Sequence, residues 1–314
     1  MIFVFFLIIV TFVINVQSDG VCRVLALSGG GNKGAYEAGV VKGFVDNLPG
    51  HSVQWNVVSG ISAGSINTAA MACFAIREEK NMSQQLVQIA GSLTNQDIYR
   101  KWPGGVLEGV FSKTSIFDSS PLREFLNKTL HSFGGLKDRH FLIGAVSYNT
   151  GKMRLWDESY PLEDVVIGAQ ASAAIPGVFE RVQFRGDNYA DGGTLKDVNI
   201  ASGIDRCIKD GYPLQNISVD VILCSNGTLP VVDENDATTI ALLRRASEIS
   251  SSKTGLQLVQ DAIQAFPEVE FRYLVYPTQT LPGTSDLDFS PKVLSEMIRI
   301  GESDAKNAIT SPIS

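Results

Sequence analysis

The sequence predicts an α/β domain of the three-layer α/β/α class, with a mainly parallel central sheet covered by helices on both faces. Three observations predict it. Apolar runs of strand length at residues 21–27, 53–59, 141–147, 218–224 and 271–276 alternate with stretches of helical periodicity. The 314 residues, 44% of them hydrophobic, contain no low-complexity linker and no internal repeat, so one large core is expected rather than two. The first two strand-like runs each lead through a glycine-rich turn into a helical pattern, the βα unit from which parallel sheets are built. The expected organisation is a signal peptide at residues 1–18 and a single domain at residues 19–314.

Residues 2–14 are apolar apart from Thr11, and Val16-Gln17-Ser18 offers side chains small enough for cleavage before Asp19. This stretch is short for a membrane span and lacks a basic flank, so secretion is the first reading and an uncleaved membrane anchor the second. Secretion makes two further features readable. Asn81, Asn127, Asn216 and Asn226 head glycosylation sequons. Cys22, Cys73, Cys207 and Cys224 are all disulfide candidates; Cys73 lies in an apolar helical stretch that favours a core thiol, and spacing does not decide the pairing.

Residues 21–27 read as a buried strand, followed by Gly29-Gly30-Gly31-Asn32-Lys33-Gly34. Tyr36, Val40, Val41, Phe44, Val45 and Leu48 then recur at helical spacing until Pro49-Gly50 stops the helix. A glycine loop at a helix N-terminus presents unpaired N–H groups and the positive end of the helix dipole, which suits an anion or a developing oxyanion. The loop also satisfies G-x-G-x-x-G. A dinucleotide site, however, needs an acidic residue at the end of the next strand, where this chain reads Val57-Val58-Ser59-Gly60. A Walker A loop would continue with Lys and Ser or Thr, where Ala35-Tyr36 stands. Lys33 is either a solvated loop residue or a charge that attracts phosphate to the mouth of a site.

The second strand-like run ends in Gly60-Ile61-Ser62-Ala63-Gly64, and small and apolar residues follow to position 76. This is the pattern of a nucleophile elbow, in which glycines admit a strained turn that lifts the serine hydroxyl clear of the backbone. Ser62 is therefore the candidate nucleophile, and a serine needs a base within reach. The three histidines do not supply one: His51 precedes the elbow, His131 lies near the end of a surface helix and His140 begins a strand-like run. None lies in the second half of the chain, where the usual order of serine, acid and late histidine would place it. The base is sought among carboxylates and lysines, where Asp191-Gly192-Gly193 is best placed, although Asp-Gly by itself reads as a hairpin turn.

Between these motifs, Trp102-Pro103-Gly104-Gly105-Val106-Leu107 and Val110-Phe111 read as an aromatic, glycine-rich loop that either dips into lipid or packs in the core. Ser119 before Pro121 reads as an N-cap, with Leu122, Phe125, Leu126 and Leu130 facing inward. Residues 233–238 are acidic, but a calcium loop would need glycine where Thr238 stands. No CxxC or HExxH spacing appears, and neither metal nor cofactor is expected.

Taken in order, Gly29 to Gly34, Gly60 to Gly64, Ala171-Ser172-Ala173-Ala174-Ile175-Pro176 and Asp191-Gly192-Gly193 resemble the signature of patatin-like phospholipases, over residues 21–309. The resemblance implies a patatin-like three-layer fold and a Ser62–Asp191 dyad without histidine, Ser62 as nucleophile and Asp191 as proton acceptor. It implies an oxyanion hole from Gly29, Gly30, Gly31 and Asn32, supported by Lys33, Gly34, Gly60, Gly64, Gly192 and Gly193. The activity implied is calcium-independent hydrolysis of fatty-acyl esters of phospholipids or related lipids. Two positions depart from the pattern: Ser28 stands where many members carry Asp, and Asn199-Ile200-Ala201 where many show Asn-x-Pro. The alternative on the same fold is a catalytically weak lipid-binding or storage protein. A net charge of -7 argues against nucleic acid and against strongly anionic membranes, leaving an acyl lipid met at a transient membrane or micelle interface as the expected partner.

Overall fold

The computed structural model describes residues 20–229 and 254–313, with Leu242, Arg245 and Ile249 alone between them. The expected signal peptide at residues 1–18 and the acidic run at residues 233–238 lie outside the described residues. The strands are β1 Cys22–Leu27, β2 Val57–Ile61, β3 Arg100–Lys101, β4 Phe117–Asp118, β5 His140–Ser147, β6 Met153–Trp156, β7 Val182–Phe184, β8 Asp187–Asp191, β9 Ile217–Ile222 and β10 Glu270–Val275. The helices are α1 Gly34–Asn47, α2 Ala63–Met71, α3 Glu79–Ser92, α4 Asn95–Ile98, α5 Gly105–Ser112, α6 Ser120–Ser132, α7 Leu162–Ser172, α8 Ile200–Lys209, α9 Thr254–Ala265 and α10 Pro291–Thr310.

The five strands expected from the apolar runs pair in parallel in the spatial order β10-β9-β1-β2-β5. Successive side chains on a strand point to opposite faces, and both faces are buried here. Leu25, Leu27, Val58, Phe141 and Ile143 join a core with α1, α2, α3, α6, α7 and α10. Val24, Ala26, Val57, Leu142 and Val219 face α8 and α9 in a second core. The mainly parallel α/β/α class is therefore as expected. A disulfide joins Cys22, at the start of β1, to Cys207 on α8, while Cys73 and Cys224 are buried thiols. Burial pushes the Cys73 thiol up to about 12, as befits a core residue.

The antiparallel part of the sheet was not legible in the sequence, and it positions the site. Strand β6 pairs with Ile143 to Val146 of β5, so it shares Ile143 and Gly144 with β2, and Ala145 and Val146 with β8. Because a strand residue has only two edges, β2 and β8 must occupy the same edge of β5, end to end. Ile61 of β2 lies opposite Gly144 and Asp191 of β8 lies opposite Ala145. The chain thus delivers the residue after Ile61 and the last residue of β8 to one point. The hairpin lies elsewhere than Asp191-Gly192 suggests: β7 and β8 are joined by Arg185-Gly186, both at positive φ (48° and 83°), the two-residue turn that suits twisted strands. Asp191 instead opens a 3-10 turn at Gly192–Thr194.

Two local expectations are corrected. Residues 105–112 form a helix, α5, rather than a loop, because Glu108 accepts a hydrogen bond from the Gly104 N–H (2.7 Å) and closes its first turn. Ser119 stands at the N-cap of α6, but its side chain makes no capping bond; Asp118 Oδ1 takes the Ser120 N–H instead (2.8 Å). Asn81, Asn127 and Asn216 are exposed, and Asn226 is half-buried with its Oδ1 accepting from the Thr228 N–H. Among the described residues, no helix is long and apolar enough to cross a membrane.

Candidate active site

The elbow is built by close approach. Ser62 holds φ 51°, ψ −120° between the end of β2 and the start of α2. A Cβ on Gly60 would lie 2.1 Å from the Gly64 carbonyl oxygen, and one on Gly64 would lie 2.6 Å from the Ser28 carbonyl oxygen. Only glycine fits either place, so the two glycines let strand, turn and helix close around the strained serine. The turn is then fixed by hydrogen bonds: the Ser62 N–H donates to Ser172 Oγ (2.9 Å), which donates to the Gly144 carbonyl (2.6 Å), and Ser65 Oγ donates to the Ser62 carbonyl (2.6 Å).

Ser62 Oγ donates to Asp191 Oδ2 at 2.7 Å, and both residues are buried. The other carboxylate oxygen, Asp191 Oδ1, accepts from the Gly193 N–H at 2.7 Å. Burial raises Asp191 to about 6, and the bonds from Ser62 and Gly193 oppose that rise. No histidine takes part. His51 lies in an exposed turn, His131 Nδ1 meets the Asn127 carbonyl, and His140 sits among Glu158, Arg206 and Asp210.

The glycine loop is divided in use. The Gly29 N–H donates to the Asp197 carbonyl (2.9 Å) and the Asn32 N–H to the Asp286 carbonyl (2.8 Å), so neither can serve the four-donor oxyanion hole expected from the sequence. Gly30 and Gly31 are the loop members whose N–H groups are not engaged among the described residues. Asn32 instead ties down the segment opposite, donating from Nδ2 to the Ser285 (3.0 Å) and Asp288 (2.9 Å) carbonyls. Lys33 is half-buried at the loop, where its Nζ pairs with the part-exposed Asp286 at 3.1 Å. Gly34 offers its carbonyl to Asn67 Nδ2 (3.0 Å), which also reaches the buried Glu37 (2.9 Å).

Two residues of this site escaped the sequence reading. Ser172 was visible within Ala171 to Pro176, but nothing in that motif announces that its hydroxyl locks Ser62 to β5. Asp197 carries no pattern at all, yet its carboxylate abuts Gly29, and it is raised to about 7, first by burial and then by the charge of Asp191.

From Ser62 an apolar pocket with a cavity volume of about 70 Å³ runs into the larger core. Ala63, Ile66, Asn67 and Ala70 line it from one face of α2, with Leu86 and Ala90 of α3 and Leu126 and Leu130 of α6 around its length. Ala173, Ile175 and Phe179 contribute a wall next to the dyad. A hydroxyl bonded to a carboxylate, at the polar end of an otherwise apolar cavity, can attack a carbonyl whose hydrocarbon tail fills that cavity.

No curated protein matches the chain in sequence. Among solved structures, VipD from Legionella pneumophila is similar at 13% identity and a TM-score of 0.46, over 93% of this chain and 67% of that one. A chain of the ExoU–SpcU complex, from the type III secretion system of Pseudomonas aeruginosa, is similar at 14% identity and a TM-score of 0.36. That match covers 94% of this chain, which spans about half (53%) of the other. The family model for patatin-like phospholipases matches residues 25–204, from the first strand through the elbow and Asp191 into α8, and the chain belongs to that family.

Proposed function

We propose that the protein hydrolyses fatty-acyl esters of phospholipids or related lipids, with Ser62 as nucleophile and Asp191 as the only general base. The observation that carries this reading is the 2.7 Å Ser62 Oγ–Asp191 Oδ2 hydrogen bond at the head of the apolar pocket. As Ser62 Oγ attacks the ester carbonyl, its proton passes to Asp191 Oδ2. The Gly30 and Gly31 N–H groups receive the negative oxygen of the tetrahedral intermediate, each worth on the order of 3 kcal/mol. When the intermediate collapses, Asp191 returns the proton to the departing alcohol and the acyl group stays on Ser62. Water then gives a proton to Asp191 as it attacks the acyl carbonyl, and Ser62 leaves with that proton restored. Lifting Asp191 towards the working pH makes it a better base than a carboxylate at its usual value near 4. Because backbone amides hold the oxyanion in this scheme, the reaction is calcium-independent.

The reading includes a secreted location, supported by the Cys22–Cys207 disulfide, since such bonds persist in oxidising compartments. Exposed Asn81, Asn127 and Asn216 are the first candidates for glycosylation. Fatty-acid release from a panel of phospholipids, with a serine-directed fluorophosphonate as a second probe, tests the activity. The wild type should turn over and label once, and Ser62→Ala should lose both by about 10⁴-fold or more in rate. Labelling at another serine, or lipid binding without turnover, would favour the storage alternative over hydrolysis.

A further inference from the structure

We propose that α5 is the surface by which the protein seats itself on a zwitterionic phospholipid interface, an inference that rests on the lipid-hydrolase reading of the site. Leu107 and Phe111 are 71% and 82% exposed, and Val106 is 40% exposed. At 3.6 residues per turn these three fall within about 140° of one another, so they form a single face. The opposite side carries Gly105, Glu108, Gly109 and Ser112: Gly109 is turned inward, where a Cβ would lie 2.5 Å from the Ser115 carbonyl oxygen, and the half-buried Glu108 is held by the Gly104 N–H and by Lys113 Nζ (3.7 Å). A helix on the surface of a folded domain ordinarily does the reverse, hiding its apolar stripe and showing its polar one.

The surroundings of α5 identify the occupant. The chain after the helix is bonded to the wall of the acyl pocket, with the Ile116 N–H on the Gly177 carbonyl and the Phe117 N–H on the Val178 carbonyl, both at 3.0 Å, and Phe179 lines the pocket itself. The segment that follows α5 is thus anchored beside Phe179, on a wall of the cavity that starts at Ser62. An aromatic and lysines flank it: Lys113 Nζ lies 4.8 Å over the Trp102 ring, and Lys101 is exposed. Apolar side chains bracketed by tryptophan and lysine match the boundary between acyl chains and phosphate head groups. The net charge of -7 selects a zwitterionic surface over a strongly anionic one.

The test compares the full chain with Leu107→Asp/Phe111→Asp and with the milder Leu107→Ser/Phe111→Ser, using sedimentation with vesicles of ether-linked phosphatidylcholine, which bind but cannot be deacylated. Turnover of a water-soluble short-chain ester and light scattering are measured on the same samples. The aspartate pair should lower vesicle partition by about 10²-fold and the serine pair by about tenfold, from the apolar area kept in water. Soluble-ester turnover should stay within about twofold, because neither side chain lines the pocket. Unchanged partition would overturn the assignment. So would parallel loss of soluble-ester turnover, or a wild-type dimer dissolved by the substitutions. A wild type that loses vesicle binding on substitution but never turns over the soluble ester would retain the surface and remove the hydrolase reading.

Discussion

On the face of the sheet covered by α8 and α9, side chains close over β1 and β9 and a disulfide ties helix to strand. On the opposite face α2, α3 and α6 leave an apolar pocket between them, and the reactive pair stands at its head. The same strands support both: Leu25 and Leu27 point to the open side and Val24 and Ala26 to the closed one. The difference shows how such a domain can carry an apolar pocket and a strained serine. Interior voids cost stability, and one well-packed, covalently braced layer offsets that cost without approaching the chemistry.

Breaking the brace should therefore produce the largest effect of the three tests on this division, and in stability alone. The Cys22–Cys207 bond spans 185 residues, a loop long enough for its removal to cost about 3–5 kcal/mol. Cys22→Ser/Cys207→Ser should lower the denaturant midpoint accordingly, while kcat on a soluble ester below that midpoint stays within about twofold. A variant that kept its midpoint but lost turnover would show that the closed face reaches the site.

The parallel strands and a sheet covered on both faces were legible in the sequence, as were the glycine loop and Ser62 and Asp191 as candidates. Continuous apolar runs signal strands buried on both sides, and glycines at fixed offsets signal close approach. What was illegible depended on pairing at a distance. Strands β6 to β8 are short and carry Arg154, Asp187 and Asn188, so no periodicity marks them, and the turn between β7 and β8 uses Arg185 where Asn or Asp is the usual signal. The division of the glycine loop was hidden for the same reason. Four adjacent residues look equivalent as donors until the Asp197 and Asp286 carbonyls, 168 and 254 positions further on, take the Gly29 and Asn32 N–H groups. Asp197 itself could be found only through its contact with Gly29.

At the head of the pocket, Asp191→Asn keeps the shape and can still accept the Gly193 N–H, but it cannot take a proton, so kcat should fall by about 10²-fold or more. The wild-type rate should decline on the acid side with a midpoint near 6, where Asp191 becomes protonated. The effect on stability has the opposite sense. A carboxyl raised by burial binds its proton more tightly folded than unfolded, so its stabilising contribution is present below about pH 4 and lost as the pH rises through about 6. The Asn variant lacks that loss, and its stability relative to wild type should improve between pH 4 and pH 7 by up to about 3 kcal/mol. An acid limb still centred near 4, or a stability difference independent of pH, would show that Asp191 is not the buried base of the site.

The smallest expected effect is the most specific to the open face. Ala63, Ile66, Asn67 and Ala70 follow one another along α2, so Ala70 stands about 10 Å from the elbow along the helix axis. An acyl chain whose carbonyl lies at Ser62 must pass Ala70 only if it is long. Ala70→Phe places a ring in that path without touching the dyad. It should lower kcat/KM for long-chain esters by about tenfold, the scale on which steric differences in apolar pockets discriminate, and leave short-chain esters within about twofold. The ring enters existing space, so the denaturant midpoint should hold or rise. Equal loss on short and long chains would mean that Ala70 supports the elbow instead of lining the path. No loss on either would mean that the hydrocarbon tail leaves Ser62 by another route.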